Sequence, residues 1–332
     1  MSLLAGIVLG ANLIPSRMLD QAGLFEFDSS GTWTGSFDPE ILWDELVVSW
    51  NCSLSPGATL QVKVCPQGST KWYSLGTWAN ERARRTSTKN QVDELAKVDT
   101  DTLILKQPSQ KLVARLELSG AGNVEFLTLS FRNKSAPVIN VIGDKSVWGK
   151  VLEAPMRAQM SYPDGKVICS ATATSMALGY WSKVLNREVV DQDVPLVCEG
   201  VFDKGWDGTG NWAFNTAYAG TIPGMRAYVA RLWSIEQLER WIARDIPVVC
   251  SVSYDLLRGK GEKGKSDGHL VVLVGFTPEG DPVFNDPGKN VVRMTYKRAD
   301  FRSAWQSSGN TCYLIYPQFY ASPENRERCW LD

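Results

Sequence analysis

Over the first 135 positions the apolar residues recur with a period of two. Residues 58–64 (ATLQVKV) and 112–118 (LVARLEL) alternate apolar and polar side chains, the pattern of a strand with one buried face. Residues 46–50 and 124–131 (VEFLTLSF) are nearly continuous apolar runs of strand length, and 72–75 and 102–105 read the same way. Turn residues separate them, at Ser55-Pro56-Gly57 and Gly120-Ala121-Gly122. Short strands at this spacing predict an antiparallel all-β sandwich or jelly roll. The polar stretch 81–96 predicts a long loop. The apolar run 3–14 is too short to span a bilayer and lacks the basic n-region of a signal peptide, so it reads as a first strand.

Alternation stops near residue 133. The segment 133–149 holds Pro137, Gly143 and Gly149 and reads as a connector. It divides the chain into a β-sandwich accessory domain, 1–140, and a second domain, 141–332. There the small and apolar run after Cys169 predicts a closely packed helix ending near Leu185. Ser234-Ile235-Glu236-Gln237 has the capping-box pattern, followed by Leu238, Trp241 and Ile242 at helical spacing. Residues 247–252, 269–276, 282–285 and 312–316 read as buried strands. Helices first and a sheet afterwards predict an α+β domain.

A net charge of −1 with no dominant basic face argues against nucleic acid as a partner. No run of about 20 apolar residues appears, so no membrane span is expected. The natural location is left open between cell envelope and cytoplasm. Seven cysteines, an odd number without a CxxC pair, do not suggest a zinc ribbon. A single histidine, His269, excludes a multi-histidine metal site, and no metal or cofactor is expected. Thirteen tryptophans suit a core, and also an aromatic groove for peptide or sugar.

The candidate chemistry centres on Cys169. It sits where the turn Tyr162-Pro163-Asp164-Gly165 leads into the predicted helix, and a thiol at a helix N-terminus is biased toward thiolate. A buried structural cysteine fits the same run. A cysteine nucleophile needs a base and a group that orients the base. His269 opens a strand, and Asp286 lies just after the next one, so an antiparallel pair would set them side by side. A core histidine and an Asn-Asp-Pro-Gly turn are the plainer readings of those two positions. Gln159 could offer its amide to an oxyanion, with the Cys169 backbone N–H as second donor.

An early Gln, a Cys opening an apolar helix, a Gly-His before a β run and Asn-Asp-Pro after the next strand together resemble the papain-like cysteine peptidases. The stretches QMSYPDGKVICSATATSMALGYW, GTGNWAFNTAYAG and DGHLVVLVGFTPEGDPVFNDPG are most similar to the branch of bacteriocin-leader-processing peptidases, family thirty-nine, and its soluble relatives. The resemblance implies a papain-like fold and a peptide or protein substrate. It implies Cys169 as nucleophile, His269 as base, Asp286 as orienter and Gln159 in the oxyanion hole. It also makes Trp212 a wall of the substrate cleft. Two features depart from it. The membrane helices and ATPase domain of transporter-linked members are not in these residues, and Ser170 follows the cysteine where several branches have Gly.

Other signals carry less. Residues 259–266 satisfy the P-loop pattern, but a β run follows where phosphate binding needs a helix. A basic lid next to His269, or a contact for an acidic substrate, suits that loop better. Asp203, Asp207 and Asn211 have oxygen ligands at loop spacing without the bidentate Glu of a calcium loop, and read as a solvated Asx-rich turn. Core packing is the simplest reading of Trp206. The functional expectation is a cysteine peptidase working through a thioester. The alternatives are an acyltransferase or non-peptide amidase using the same groups, or a protein whose N-terminal domain binds glycan or cell-wall polymer beside a degenerate peptidase half.

Overall fold

The computed structural model describes residues 25–136, 141–265 and 267–323, with the backbone of one strand at 6–9. Nine strands come first: β1 (Gly6–Leu9), β2 (Thr32–Phe37), β3 (Trp43–Leu54), β4 (Thr59–Pro66), β5 (Tyr73–Trp78), β6 (Ala96–Asp99), β7 (Thr102–Ser109), β8 (Leu112–Ser119) and β9 (Gly122–Arg132). They form two sheets, ordered β1-β9-β3-β7-β6 and β2-β8-β4-β5. Alternation in β4 places Leu60, Val62 and Val64 inward, where they share one core with Trp50, Leu127 and Leu129 of the other sheet. The run 3–14 contributes β1 through residues 6–9, and its other positions lie outside the described residues. β1 runs parallel to β9, so the sheet is not wholly antiparallel as expected.

The second part interleaves helices and strands, where all helices before the sheet were expected. Its elements are α1 (Cys169–Leu185), α2 (Val194–Val201), α3 (Trp212–Thr221), β10 (Met225–Arg231), α4 (Ile235–Ala243), β11 (Val248–Ser253), α5 (Tyr254–Leu257), β12 (Gly268–Phe276), β13 (Pro282–Asn285), β14 (Arg293–Thr295), α6 (Arg298–Gln306) and β15 (Thr311–Pro317). One sheet, β10-β15-β11-β12-β13-β14, forms its centre. α1 is buried from Ser170 to Trp181 because its residues are small or apolar all round. Ser234 precedes α4, but its hydroxyl does not cap the helix; Gln237 Oε1 instead accepts the Trp233 N–H at 2.6 Å.

The two parts share their cores. Ala213, Phe214 and Ala217 of α3 pack into the core of the first two sheets, with the Phe214 ring 5.6 Å from Trp78 and 6.2 Å from Trp50. Val47 and Phe126 join the core of the second part in return. β10 is an edge strand of the central sheet, and an open edge leaves backbone groups to satisfy. Side chains of β3 do this. Asn51 Nδ2 donates to Ala227 O (2.8 Å), Asn51 Oδ1 accepts from Ala227 N (3.1 Å), and Ser49 Oγ accepts from Val229 N (3.0 Å). Gly220 makes room, since a Cβ there would lie 2.2 Å from Asn51 Nδ2.

Arg85, 1% exposed, is a second clasp. Its guanidinium donates to Glu199 O at the end of α2 (2.9 Å) and to Ala79 O and Asn80 O (3.0 and 2.8 Å). Among the described residues no cysteine is disulfide-bonded, including Cys250 and Cys312, which face each other across β11 and β15. Cys329 lies outside them.

Asn51→Ala strips both partners from a buried backbone pair. The expected loss is about 2–4 kcal/mol of folding free energy, measured as a lower urea midpoint.

Candidate active site

Cys169 is the first residue of α1, and local sequence puts it there. The turn 163–166 reverses the chain, with Asp164 at φ +58°. Gly165 lets that turn press on the preceding one, since a Cβ there would be 2.6 Å from Gln159 O. Ile168 offers no side-chain cap, so the first N–H groups of α1 stay directed at whatever lies before the helix. Cys169 is half-buried at that end.

His269 and Asp286 converge through strand register. β12 and β13 pair antiparallel with Val272 opposite Asn285 and Leu273 opposite Phe284. Extending that register sets position 286 against 271 and 288 against 269. His269 and Asp286 then share one face as diagonal neighbours. His269 Nε2 lies 2.7 Å from Asp286 Oδ1, with both side chains buried. Gly288 sits against the imidazole, where a Cβ would be 3.1 Å from Cε1. Asp286 also accepts the Gly288 N–H (2.8 Å) and, on Oδ2, the Tyr296 hydroxyl (2.5 Å).

The electrostatics follow from this arrangement. Burial works against the Asp286 carboxylate, but the His269 hydrogen bond and charge, with Tyr296 and Gly288, hold it below its usual range. Burial likewise disfavours imidazolium at His269. Hydrogen bonds to Asp286 and Cys169, and the charges of both, outweigh it and raise the ring to about 9. Burial would push the Cys169 thiol up. The His269 hydrogen bond and charge and the N–H groups of Leu270 and Ser170 bring it below the ordinary value. With Nε2 occupied by Asp286, Nδ1 is the ring nitrogen left for sulfur. These shifts favour the thiolate–imidazolium form of the Cys169–His269 pair beside the Asp286 carboxylate.

Gln159 is buried in a short 3₁₀ turn, Gln159–Ser161. Its backbone N–H donates to Pro287 O (2.8 Å), directly after Asp286, and its Nε2 donates to Gly165 O (2.5 Å), just before Cys169. It therefore bridges the two loops that carry the sulfur and the carboxylate. Trp212, the first residue of α3, gives its N–H to Asp101 Oδ2 (2.5 Å) and lines a cavity of about 410 Å³ together with Asp101, Arg231 and Lys263.

Two side chains escaped the sequence reading. Tyr254 lies against His269 with ring centroids 4.6 Å apart, and Arg258 and Lys289 stand over the tyrosine ring at 4.2 and 5.4 Å. Tyr296 is the second. Neither belongs to a motif; only the spacing of α5 and β14 from the strands brings them in.

Two minor expectations change. Asp203 is fully buried instead of solvated. Its Oδ1 accepts N–H groups of Ser87 (2.8 Å) and Gly205 (2.9 Å), and its Oδ2 accepts from Asn211 Nδ2 (2.9 Å), so both oxygens are committed to donors rather than free for a cation. Trp206 is 48% exposed rather than core. The P-loop-like segment leads into β12 with no helix, and its Ser266 lies outside the described residues.

With this geometry in view, residues 151–313 match the Peptidase C39 like family, and residues 17–125 match the Peptidase C39 N-terminal domain. The chain belongs to the C39-like peptidases. The family implies a hydrolase with a peptide or protein substrate. No curated protein matches the chain significantly. A solved structure that does is described as a "putative C39-like peptidase" from Bacillus anthracis, at 20% identity over 51% of this chain and 98% of that one, with a TM-score of 0.37. In this C39-like chain no helix among the described residues is long and apolar enough to cross a membrane.

Alkylation of Cys169 by iodoacetamide is expected to stay fast below about pH 8.5, the ordinary thiol value. The imidazolium contribution is lost as His269 deprotonates at about 9. His269→Ala should move the midpoint of the rate profile up by about one pH unit or more. An unchanged profile would count against the pairing.

Proposed function

We propose that this protein is a cysteine peptidase with a papain-like catalytic domain at 141–332, preceded by a β-sandwich domain at 1–140. The observation that carries the reading is the meeting of a depressed thiol at a helix N-terminus with an imidazole held by a buried carboxylate.

In this mechanism the Cys169 thiolate attacks the peptide carbonyl carbon. The imidazolium of His269 then gives its Nδ1 proton to the leaving amine, and the thioester forms. His269, now neutral, takes a proton from water as the water oxygen adds to the thioester carbonyl; the C–S bond then breaks, releasing the acid and returning the Cys169 thiolate. Asp286 keeps the ring oriented and stabilises its charged form, and Tyr296 and Gly288 keep Asp286 from turning away. Tyr254 shields the imidazole from one side, which keeps the His269–Asp286 bond dry.

Gln159 supports oxyanion stabilisation by count. A primary amide has two N–H bonds, and Gly165 O uses one. The other is available to a tetrahedral oxygen, with the Cys169 N–H as partner donor. No cofactor is required by any step.

Cys169→Ala is expected to abolish hydrolysis and labelling while the protein stays folded. Gln159→Ala should lower kcat by roughly 10²–10³. The deciding experiment is thiol titration with an epoxide inhibitor, read by peptide mass mapping. Modification at Cys169 in stoichiometric amount supports the reading; a wild-type protein labelled only elsewhere overturns it.

A further inference from the structure

The 410 Å³ cavity lined by Trp212 is built by both halves of the chain. One wall is the β6–β7 hairpin, through Asp99, Thr100 and Asp101; the other is the loop into α3, through Trp206, Gly210 and Trp212. We propose that this cavity is the subsite that takes an acidic side chain of the peptide substrate, a reading that rests on the peptidase assignment above.

Its position fits a substrate subsite. Thr209, next to Gly210, donates to Val167 O (3.2 Å), two residues before Cys169. Ser308 on the far side is hydrogen-bonded to Ser251 (3.0 Å), whose register partner is Leu270, the neighbour of His269. Lys263 at the rim belongs to the loop that leads into His269. The Tyr313 hydroxyl meets Ser170 Oγ at 2.8 Å, and burial above all, with the charges of Asp101 and Cys169 adding to it, disfavours its ionisation. These contacts tie both walls of the cavity to the segments that lead into Cys169 and His269. Gly208 and Gly210 hold the Trp206 ring there, since a Cβ at either would lie within 2.8 Å of it.

The donors point to the ligand's charge. Two lining cations, Arg231 (3.1 Å) and Arg132 (3.0 Å), converge on Oε2 of Glu45, whose Oε1 pairs with Lys134 (2.8 Å) outside the cavity lining. Arg231 is 2% exposed, and its Nη1 faces Glu45 at an angle that makes no hydrogen bond and has no other acceptor. A buried guanidinium N–H without an acceptor is costly, and carboxylate is the group that fits it. Burial pushes Arg231 down to about 10 although Glu45 opposes that. Of the other acids lining the cavity, Asp101 accepts the Trp212 N–H and the Thr102 hydroxyl, while Asp99 is largely exposed and lies 3.8 Å from Lys97. Lys263 adds a further cation at the entrance.

The test uses full-length Cys169→Ala protein, immobilised and offered a peptide library in which each position carries Glu or its isostere Gln. Retained peptides are sequenced by mass spectrometry. Glu at one position is expected to be retained about tenfold over Gln, the gain of a single charge-assisted hydrogen bond. Lys263→Glu and Arg132→Gln, each checked for folding by its melting curve, should reduce that ratio to about threefold or less. Equal retention of Glu and Gln peptides, or a preference that survives both substitutions, overturns the subsite. The wild-type enzyme is then given the retained peptides. Acid-selective retention without cleavage leaves the subsite standing and removes the peptidase reading; cleavage without acid selectivity does the reverse.

Discussion

The registration of β12 against β13 is the constraint on which the centre depends. With Val272 opposite Asn285, His269 and Asp286 fall on one face and within reach of each other. A slip of one residue would turn the carboxylate to the opposite face. The register is held from several sides. Asn285 donates to Ala154 O and Pro155 O and accepts from Arg293. Gly275 admits the crossing chain at 150, where a Cβ would collide with Lys150 O. The charges at the centre follow, because neither imidazolium nor carboxylate would persist in so buried a place without the other.

The N-terminal sheets matter to that centre in three ways. They satisfy the open edge of β10 through Asn51 and Ser49, cap α2 through Arg85, and hold the start of α3 through Asp101. Asp101 is buried, which raises its carboxyl to about 6 against the opposing Trp212 N–H. The hairpin that carries it thus reaches the loop that flanks Val167 and Cys169.

Much of this was legible in the sequence. Period-two alternation gave β4 and β8, because each has one face in the core and one in solvent. The helix from Cys169 to Leu185 was legible from its small residues. β10 was not, because Arg226 and Arg231 interrupt its apolar pattern. Both are buried, Arg226 over the Phe126 ring at 5.0 Å and Arg231 on Glu45, and partners so far away in sequence leave no local trace. Tyr254 and Tyr296 were invisible for the same reason. Cys169, His269, Asp286 and Gln159 stood out because each lies at an element boundary with turn residues beside it. Trp206 and Asp203 were misread because hydropathy does not tell which side of a loop faces inward.

The sharing of α3 has a consequence for how the molecule comes apart. Phe214 is lodged among tryptophans of the first sheets while the same helix abuts the sheet that carries His269. A fragment cut between the halves would therefore carry a naked aromatic ridge, and its complement an empty socket. Such pieces are prone to clump before they can be assayed, so a boundary drawn along the chain is not a seam along which this protein can be divided.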